Sequence, residues 1–257
     1  MKNILFTLLI FSAISYSQNK EIYNNYIIEY DIILNTERPL TKSGTLILNN
    51  SYTKSFFYET KKGETKTKKS ESGIDFIIIS KKIKFNFIDY SKDSLVSKEN
   101  LFFDEYNVKE RIPYINWQLT NETKYIDSLE VKCAKTNFRG RNYIAWYSSK
   151  YPIKSGPWKF NGLPGLIINV YDESRRYEWN LKKIYRKKIK FEKLTNEKVN
   201  NDLPTIELKD FINLGNKNNI KTKLSSRLPR QLNLSNSKTK RNSKELIFEW
   251  EEETKKE

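Results

Sequence analysis

The sequence predicts a mostly β protein: a single antiparallel curved sheet, a sandwich or an open barrel, with one short helix late in the chain. Apolar and polar residues alternate over many short segments, which is the period of half-buried strands. Turn-forming residues separate these segments, and only one segment has good helical periodicity. Aromatic residues make up 14% of the chain and supply the apolar area that a core needs.

The clearest strand pattern is YIIEYDIIL at 26–34, in which every second side chain is apolar and shares one face. Residues 175–186 show the same alternation, and its slip at Lys183–Ile184 indicates a β-bulge. Turns are predicted at 91–94 and at FRGR, 138–141, and a charged connection at 61–73. Further strands are predicted at 45–48, 55–59, 75–79, 82–90, 114–119, 129–136 and 141–147.

The late helix is predicted within 205–215, with Gly215 as its C-cap. The basic, aperiodic stretch 216–245 is interpreted as mostly flexible, and 245–253 as a candidate final strand. We therefore expect a signal peptide at 1–17, a β-rich domain at 18–200, and a helix with a largely flexible basic tail at 201–257.

The N-terminus has the pattern of a secretory signal peptide. Lys2 precedes an apolar run of about a dozen residues, too short to span a membrane, and small residues precede a cleavage site between Ser17 and Gln18. The run contains no cysteine, so a lipoprotein is not expected. The pattern predicts a periplasmic or secreted protein without a transmembrane span.

Composition removes most common catalytic chemistry. The chain has no histidine and one cysteine, Cys133, so histidine-based triads, histidine metal sites and internal disulfides are excluded. We interpret Cys133 as a small buried hydrophobe. The formal charge of +16, from 47 basic and 31 acidic residues, suits nucleic acid, but export makes that partner a poor candidate. No catalytic residue, cofactor or metal is predicted.

Residues 131–181 carry several linked motifs: the turn FRGR, AWY at 145–147, GPWKF at 156–160 and the hexapeptide Gly162, Leu163, Pro164, Gly165, Leu166, Ile167. In these motifs the chain resembles the GLPGLI family, exported proteins of the Bacteroidota that are named for the hexapeptide. The resemblance implies export and a mostly β domain. It implies no activity and no catalytic residues.

The hexapeptide has two interpretations. Pro164 and Gly165 suit the second and third positions of a type II turn, in which the glycine adopts positive φ, and this predicts a packed structural corner. Alternatively, the neighbouring aromatic residues form a ligand groove, whose candidate lining is Trp146, Trp158, Phe160 and Trp179.

Three functional hypotheses follow. The first is a non-enzymatic binding or accessory module, with a hydrophobic or lipid-like molecule as candidate ligand. The second is a partner of an outer-membrane system, such as a TonB-dependent transporter, that docks through sheet edges and the basic tail. The third and least favoured is a hydrolase that uses carboxylates alone. The sequence leaves the oligomeric state open.

Overall fold

The computed structural model describes residues 24–61, 66–68, 76–78, 83–101, 103–199, 202–225, 241 and 243–253. The predicted signal peptide at 1–17, with its cleavage site at Ser17 and Gln18, lies outside the described residues. So do most of the charged connection at 61–73 and of the basic stretch at 226–242.

Fourteen strands and three helices occupy the described residues. The strands are β1 (Asn24–Leu34), β2 (Leu40–Leu48), β3 (Lys54–Lys61), β4 (Lys66–Lys68), β5 (Phe76–Ile78), β6 (Lys84–Asp89), β7 (Ser94–Leu101), β8 (Asp104–Glu110), β9 (Gln118–Ile126), β10 (Leu129–Phe138), β11 (Arg141–Ser148), β12 (Leu166–Asp172), β13 (Tyr177–Lys188) and β14 (Thr205–Glu207). The helices are α1 (Phe191–Val199), α2 (Leu208–Ser225) and α3 (Glu249–Glu253).

Twelve of these strands form one sheet in the order β14-β8-β7-β6-β3-β2-β1-β13-β12-β11-β10-β9, and β4 pairs with β5 separately. Neighbours are antiparallel except for β14, which runs parallel to β8. In the described residues the sheet ends at β14 and β9 and does not close into a barrel. The mostly β prediction is confirmed, with a mixed rather than a purely antiparallel sheet.

Both faces of the central strands are buried, because consecutive residues of a strand point to opposite faces. Ile28, Tyr30 and Ile32 of β1 join the largest core cluster, which extends across β2, β10, β11, β12 and β13. Ile27 points the other way and joins a second cluster, in which Phe191 and Leu194 of α1 cover the sheet. The site described below lies in the first of these cores.

Local sequence signals predicted many of these features correctly. The apolar face at 26–34 is buried as expected, and Cys133 is buried with 1% exposure. The register of β1 on β13 shifts between Glu29, which faces Lys183, and Tyr30, which faces Leu181. Lys182 of β13 is therefore the extra residue of a bulge, one residue before the predicted slip. The FRGR turn connects β10 to β11, with positive φ at Arg139 and Gly140.

Several predictions need correction. The strand at 114–119 begins only at Gln118, because residues 111–117 run across the site as an irregular segment. The late helix starts at Leu208, after the short β14, and continues to Ser225, so the N-terminal part of 216–245 is helical. Gly215 lies inside that helix and is not a cap, since its φ is not positive. Helix α1 was not predicted, because only Phe191 and Leu194 mark its apolar side.

The candidate final strand at 245–253 is wrong. The amides of Leu246 and Ile247 both donate to the single carbonyl of Arg139, at 2.8 and 3.1 Å, which a ladder of alternating strand hydrogen bonds does not allow. Phe248 then stacks on Trp250 with ring centroids 4.9 Å apart, and α3 begins at Glu249. The segment 243–251, called the C-terminal segment below, therefore crosses the end of the β10–β11 hairpin as a loop and a short helix.

Candidate functional site

The motif GPWKFNG folds into a small hairpin between β11 and β12. Gly162 donates its amide to the Lys154 carbonyl at 2.9 Å, and Gly156 donates to the Phe160 carbonyl at 2.8 Å. Trp158 sits at the tip with a φ of 55°, in the left-handed region that bulky residues rarely adopt. We refer to residues 154–162 as the motif hairpin.

The motif hairpin delivers two aromatic rings into the core. Trp158 stacks on Trp179 of β13 with centroids 5.9 Å apart and an interplanar angle of 11°. Phe160 meets Trp179 edge-on at 5.4 Å and Tyr143 edge-on at 4.9 Å. Phe160 and Trp179 have no exposed surface and Trp158 is 5% exposed, so this burial offsets the strained backbone at the hairpin tip.

The predicted ligand groove is therefore filled. Trp158, Phe160 and Trp179 come together as expected, but their rings occupy one another's space. Trp146 belongs to the same core cluster, but it alternates with Tyr143 and Ala145 along β11, so its ring leaves that strand on the opposite face. There the Lys124 ammonium lies 3.8 Å from the centre of its ring. The aromatic face is core, and the groove interpretation is wrong.

The hexapeptide is a packed corner, although not with the predicted turn geometry. Positive φ occurs at Gly162, at 89°, and not at Gly165. Gly165 serves another purpose, since a Cβ atom there would lie 2.4 Å from the carbonyl oxygen of Ser148. Leu163, Leu166 and Ile167 are buried in the main core. Pro164 is exposed at the surface of the corner.

A buried ionic cluster lies beside the aromatic rings. The Lys159 ammonium, at the tip of the motif hairpin, is 2.6 Å from Glu110 Oε1 and 3.0 Å from Glu245 Oε1. The side chain of Lys159 is 4% exposed and that of Glu110 is 8% exposed. We call these residues, together with Arg139, the ionic cluster.

Arg139 completes the ionic cluster from the FRGR turn. Its Nη2 donates to Glu110 Oε2 at 2.6 Å, its Nη1 donates to Glu245 Oε1, and its Nε donates to Glu249 Oε1 at 2.9 Å. Two cations thus face two buried carboxylates, and each carboxylate accepts from both. Four parts of the chain meet here: the end of β8, the β10–β11 turn, the motif hairpin and the C-terminal segment.

A second ion pair joins the C-terminal segment to the sheet. Lys244 Nζ lies 2.7 Å from Glu59 Oε1 of β3, and Lys42 Nζ lies 3.1 Å from the other carboxylate oxygen. The Lys244 ammonium is also 5.1 Å from the centre of the Trp179 ring and 5.5 Å from the centre of the Trp158 ring. The C-terminal segment therefore covers the aromatic cluster with a lysine and closes it from solvent.

The electrostatics keep these groups ionised. Burial disfavours the charge of Lys159, but the carboxylates of Glu110 and Glu245 outweigh burial and raise the pKa of Lys159. Burial likewise opposes the charge of Glu245, and Lys159 and Arg139 nevertheless lower its pKa. Lys244 and Lys42 overcome the burial of Glu59 and lower its pKa to about 2. These shifts favour the charged forms of Lys159, Glu245 and Glu59 at neutral pH.

Sequence reasoning missed the ionic cluster. Lys159 and Arg139 lie inside motifs that the sequence singles out, but their partners Glu110 and Glu245 are 49 and 106 residues away along the chain. The available signal was a charged residue between two aromatic ones in GPWKF. Within the described parts of the chain, no group of three or more His, Cys, Asp or Glu side chains could hold a metal ion.

A protein family resembles the central part of the chain. A protein-family model described as "Protein of unknown function (Porph_ging)" matches residues 135–169, the stretch that carries Arg139, the motif hairpin and the hexapeptide. No curated protein matches the chain. None of the helices in the described residues is long and apolar enough to cross a membrane.

Two solved structures share the fold. "Structure of PNGF-II in P21 space group" aligns with a TM-score of 0.51 and 14% identity over 74% of this chain and 33% of that chain. "Structure of PNGF-II in C2 space group" aligns with a TM-score of 0.50 and 13% identity over 85% of this chain and 37% of that chain. The chain thus spans little more than a third of these proteins, and at this identity the likeness shows the fold alone.

The close approach at Gly165 gives a first prediction. Gly165→Ala is expected to lower the free energy of unfolding by roughly 2–3 kcal/mol, because the backbone of Ser148 must move to admit the methyl group. The matched control is Gly215→Ala in α2, where the nearest atom is 3.4 Å away; it is expected to raise stability by up to about 1 kcal/mol. Urea unfolding of both variants checks this, and equal effects would contradict the corner geometry.

The ionic cluster gives a second prediction. Glu245→Gln is expected to cost about 3–5 kcal/mol of stability, because Lys159 and Arg139 stay buried with half of their compensating charge. Glu249→Gln removes a partner of the same arginine, but Glu249 is 59% exposed, so it is expected to cost under about 1 kcal/mol. Urea unfolding separates the two, and a similar cost for both would mean that burial of the cluster contributes nothing.

A third prediction concerns pH. A carboxylate whose pKa is lower in the folded than in the unfolded state stabilises the folded state at every pH above its unfolded-state pKa, near 4.5. This stability is lost as the pH falls through the folded-state pKa, which is about 2 for Glu59. The tryptophan near-ultraviolet dichroism, which reports Trp158 and Trp179, is expected to be constant from neutral pH to about 5 and to fall below it. In Glu59→Gln the fall should be smaller; an unchanged acid transition would show that Glu59 plays no part.

Proposed function

We propose that the protein is an exported, non-enzymatic binding module of the GLPGLI family that docks an envelope protein by strand addition at β9. The observation that carries the proposal is the bare outer edge of this nine-residue strand. β9 pairs with β10 on one side, and no strand among the described residues pairs with its other side. Such an edge offers unpaired backbone donors and acceptors to an extended segment of a partner.

The side chains of β9 favour docking. Leu119 is 57% exposed and Tyr125 is 75% exposed, so the strand offers apolar surface at both of its ends. Charged residues usually protect a free edge from pairing. Here Lys124 is directed over the ring of Trp146, and Glu122 pairs with Lys135 of β10 at 2.9 Å. Both charges therefore lie towards β10 and leave the outer edge accessible.

The other end of the sheet is less suited to strand addition. β14 has three residues and leads directly into α2, so it presents a short edge. Strand addition needs several consecutive backbone groups to give useful affinity. β9 is accordingly the docking edge in this proposal.

The electrostatics of the ionic cluster support a non-enzymatic role. A lysine nucleophile needs a lowered pKa, whereas the pKa of Lys159 is raised. A carboxylic general acid needs a raised pKa, whereas the pKa values of Glu59 and Glu245 are lowered. The charged groups nearest the family motif are thus engaged in holding the C-terminal segment.

One further part of the proposal rests on the sequence and another on the filled aromatic face. The N-terminal pattern supports export, cleavage between Ser17 and Gln18, and a periplasmic or secreted mature protein. A hydrophobic ligand on the aromatic face is disfavoured, because Trp158, Phe160 and Trp179 fill that face. An outer-membrane protein with an extended periplasmic segment, such as a TonB-dependent transporter, is the partner class that this proposal favours.

The fourth prediction tests the docking edge in cells. A photo-crosslinking amino acid at Tyr125 is expected to capture one outer-membrane protein, and the mature chain should begin at Gln18 by mass spectrometry. The matched control is the same probe at Phe103, which is fully exposed on the β7–β8 connection and far from β9 in strand order. Capture at both positions alike would contradict docking at β9.

Hydrogen exchange then tests strand addition itself. With the captured protein bound, the amides of β9 are expected to exchange at least about tenfold more slowly, because the partner occupies their outer edge. Leu119→Lys should weaken capture by the probe at Tyr125 while leaving thermal stability unchanged, since the Leu119 side chain is exposed. Binding without protection of β9 would overturn the mode of docking.

A further inference from the structure

A strained tyrosine marks a second surface of the molecule. Tyr52, in the turn between β2 and β3, has a φ of 56°. Asn and Gly adopt this left-handed region readily, whereas a bulky side chain there is a conformational outlier. Such outliers concentrate at functional sites.

The turn itself does not require a tyrosine. Asn49 shapes it: its Nδ2 donates to Ser51 Oγ and Thr53 Oγ1, both at 3.0 Å, and its Oδ1 accepts from the Lys54 amide at 2.9 Å. The Tyr52 amide donates to the Asn49 carbonyl at 3.0 Å, a bond that any residue can make. The identity of the side chain at position 52 is therefore not explained by the fold of the turn.

Burial does not offset the strain either. Trp158 has a similar φ, but its ring is 5% exposed and packed in the core. Tyr52 is 46% exposed, and its described ring contact is with Tyr26, whose centroid is 5.9 Å away. The packing of this half-exposed ring therefore does not offset the free-energy cost of the strained backbone at Tyr52. A ligand that binds the ring would account for the tyrosine at this position.

The ring forms one wall of a surface cavity. The cavity has a volume of about 260 Å³ and is lined by Asn24, Tyr26, Asn49, Asn50, Tyr52 and Arg186. Arg186 lies over the Tyr26 ring at 4.3 Å, and its Nη2 donates to the Tyr26 hydroxyl at 2.9 Å. Tyr26 thus holds the guanidinium at the rim, and none of the described residues in the lining carries a carboxylate.

This lining combines three recognition chemistries. Tyrosine rings offer flat apolar faces with polar tips, asparagine amides both donate and accept hydrogen bonds, and a guanidinium binds carboxylate or sulfate oxygens. A pyranose ring with an acidic substituent presents the matching groups: an apolar C–H face, hydroxyls and an anion. The volume lies just below the usual range for drug-sized ligands and suits a single ring.

The geometry points to an anionic saccharide site at this cavity, with a sugar ring stacked on Tyr52 and its carboxylate or sulfate at Arg186. The site is independent of the docking edge, because it lies on β1, β13 and the β2–β3 turn, and four positions in the sheet order separate β13 from β9. It requires no chemical step. The mature chain carries a net charge of +15, once Lys2 of the signal peptide is removed, and attracts such polyanions over long range.

The test uses the full mature chain and four probes: glucuronic acid, glucose 6-sulfate, glucose and inorganic sulfate. Nuclear magnetic resonance should show the Tyr26 and Tyr52 ring signals shifting with at least one acidic sugar at millimolar concentration, and which sugar distinguishes carboxylate from sulfate. Glucose and inorganic sulfate should bind at least about tenfold more weakly. Equal binding of glucose would overturn the anionic assignment, and equal binding of sulfate would overturn the sugar.

Variants separate function from folding. Tyr52→Gly should weaken binding by at least about tenfold and also raise the melting temperature, because glycine relieves the strained φ. The matched control Asp127→Gly relieves a similar φ of 45° outside the cavity and should leave binding unchanged. Arg186→Gln should abolish the preference for acidic sugars over glucose. Unchanged binding in Tyr52→Gly, or no shift of either ring with any probe, would overturn the proposal.

Discussion

The ion pairs of Lys159 and Arg139 with Glu110 and Glu245 are the interaction on which the position of the C-terminal segment depends. They join residues 29 to 106 positions apart, which no local structure would bring together. Buried charges are costly unless each is paired with good geometry, and here every carboxylate oxygen of the pair receives a cationic donor. The arrangement fixes one position for the C-terminal segment and so determines what covers the aromatic core.

The motif hairpin is the scaffold of this cluster. The motif hairpin must aim Trp158 and Phe160 into the core and Lys159 between two glutamates, and consecutive side chains can do so only around a tight tip. Gly165 then lets the corner approach Ser148 closely enough for β12 to pair with β11. Gly156 and Gly165 thus serve close packing, and the Trp158 ring centre lies 5.8 Å from the Lys159 ammonium.

Local periodicity was sufficient to predict strands such as β1, β10, β11 and β13 and a bulge in β13, but not β7 or β8. Burial on one face forces alternation, and a bulge breaks it visibly. Periodicity failed where contacts with residues distant in the sequence determine the local conformation. Residues 245–253 alternate like a strand, yet the Arg139 carbonyl and the ionic cluster hold them as a loop and a helix. Trp146 was grouped with the other aromatic residues, although one position along β11 places it on the opposite face. The strain at Tyr52 depends on φ and has no signal in the sequence.

Lys159 and Glu245 act on each other to hold the C-terminal segment. A double-mutant cycle in urea unfolding with Lys159→Met, Glu245→Gln and the double variant measures this interaction directly. The expected coupling free energy between the two sites is about 2–3 kcal/mol, because each single change leaves a buried charge with reduced compensation. Additive effects, with a coupling below about 0.5 kcal/mol, would contradict it.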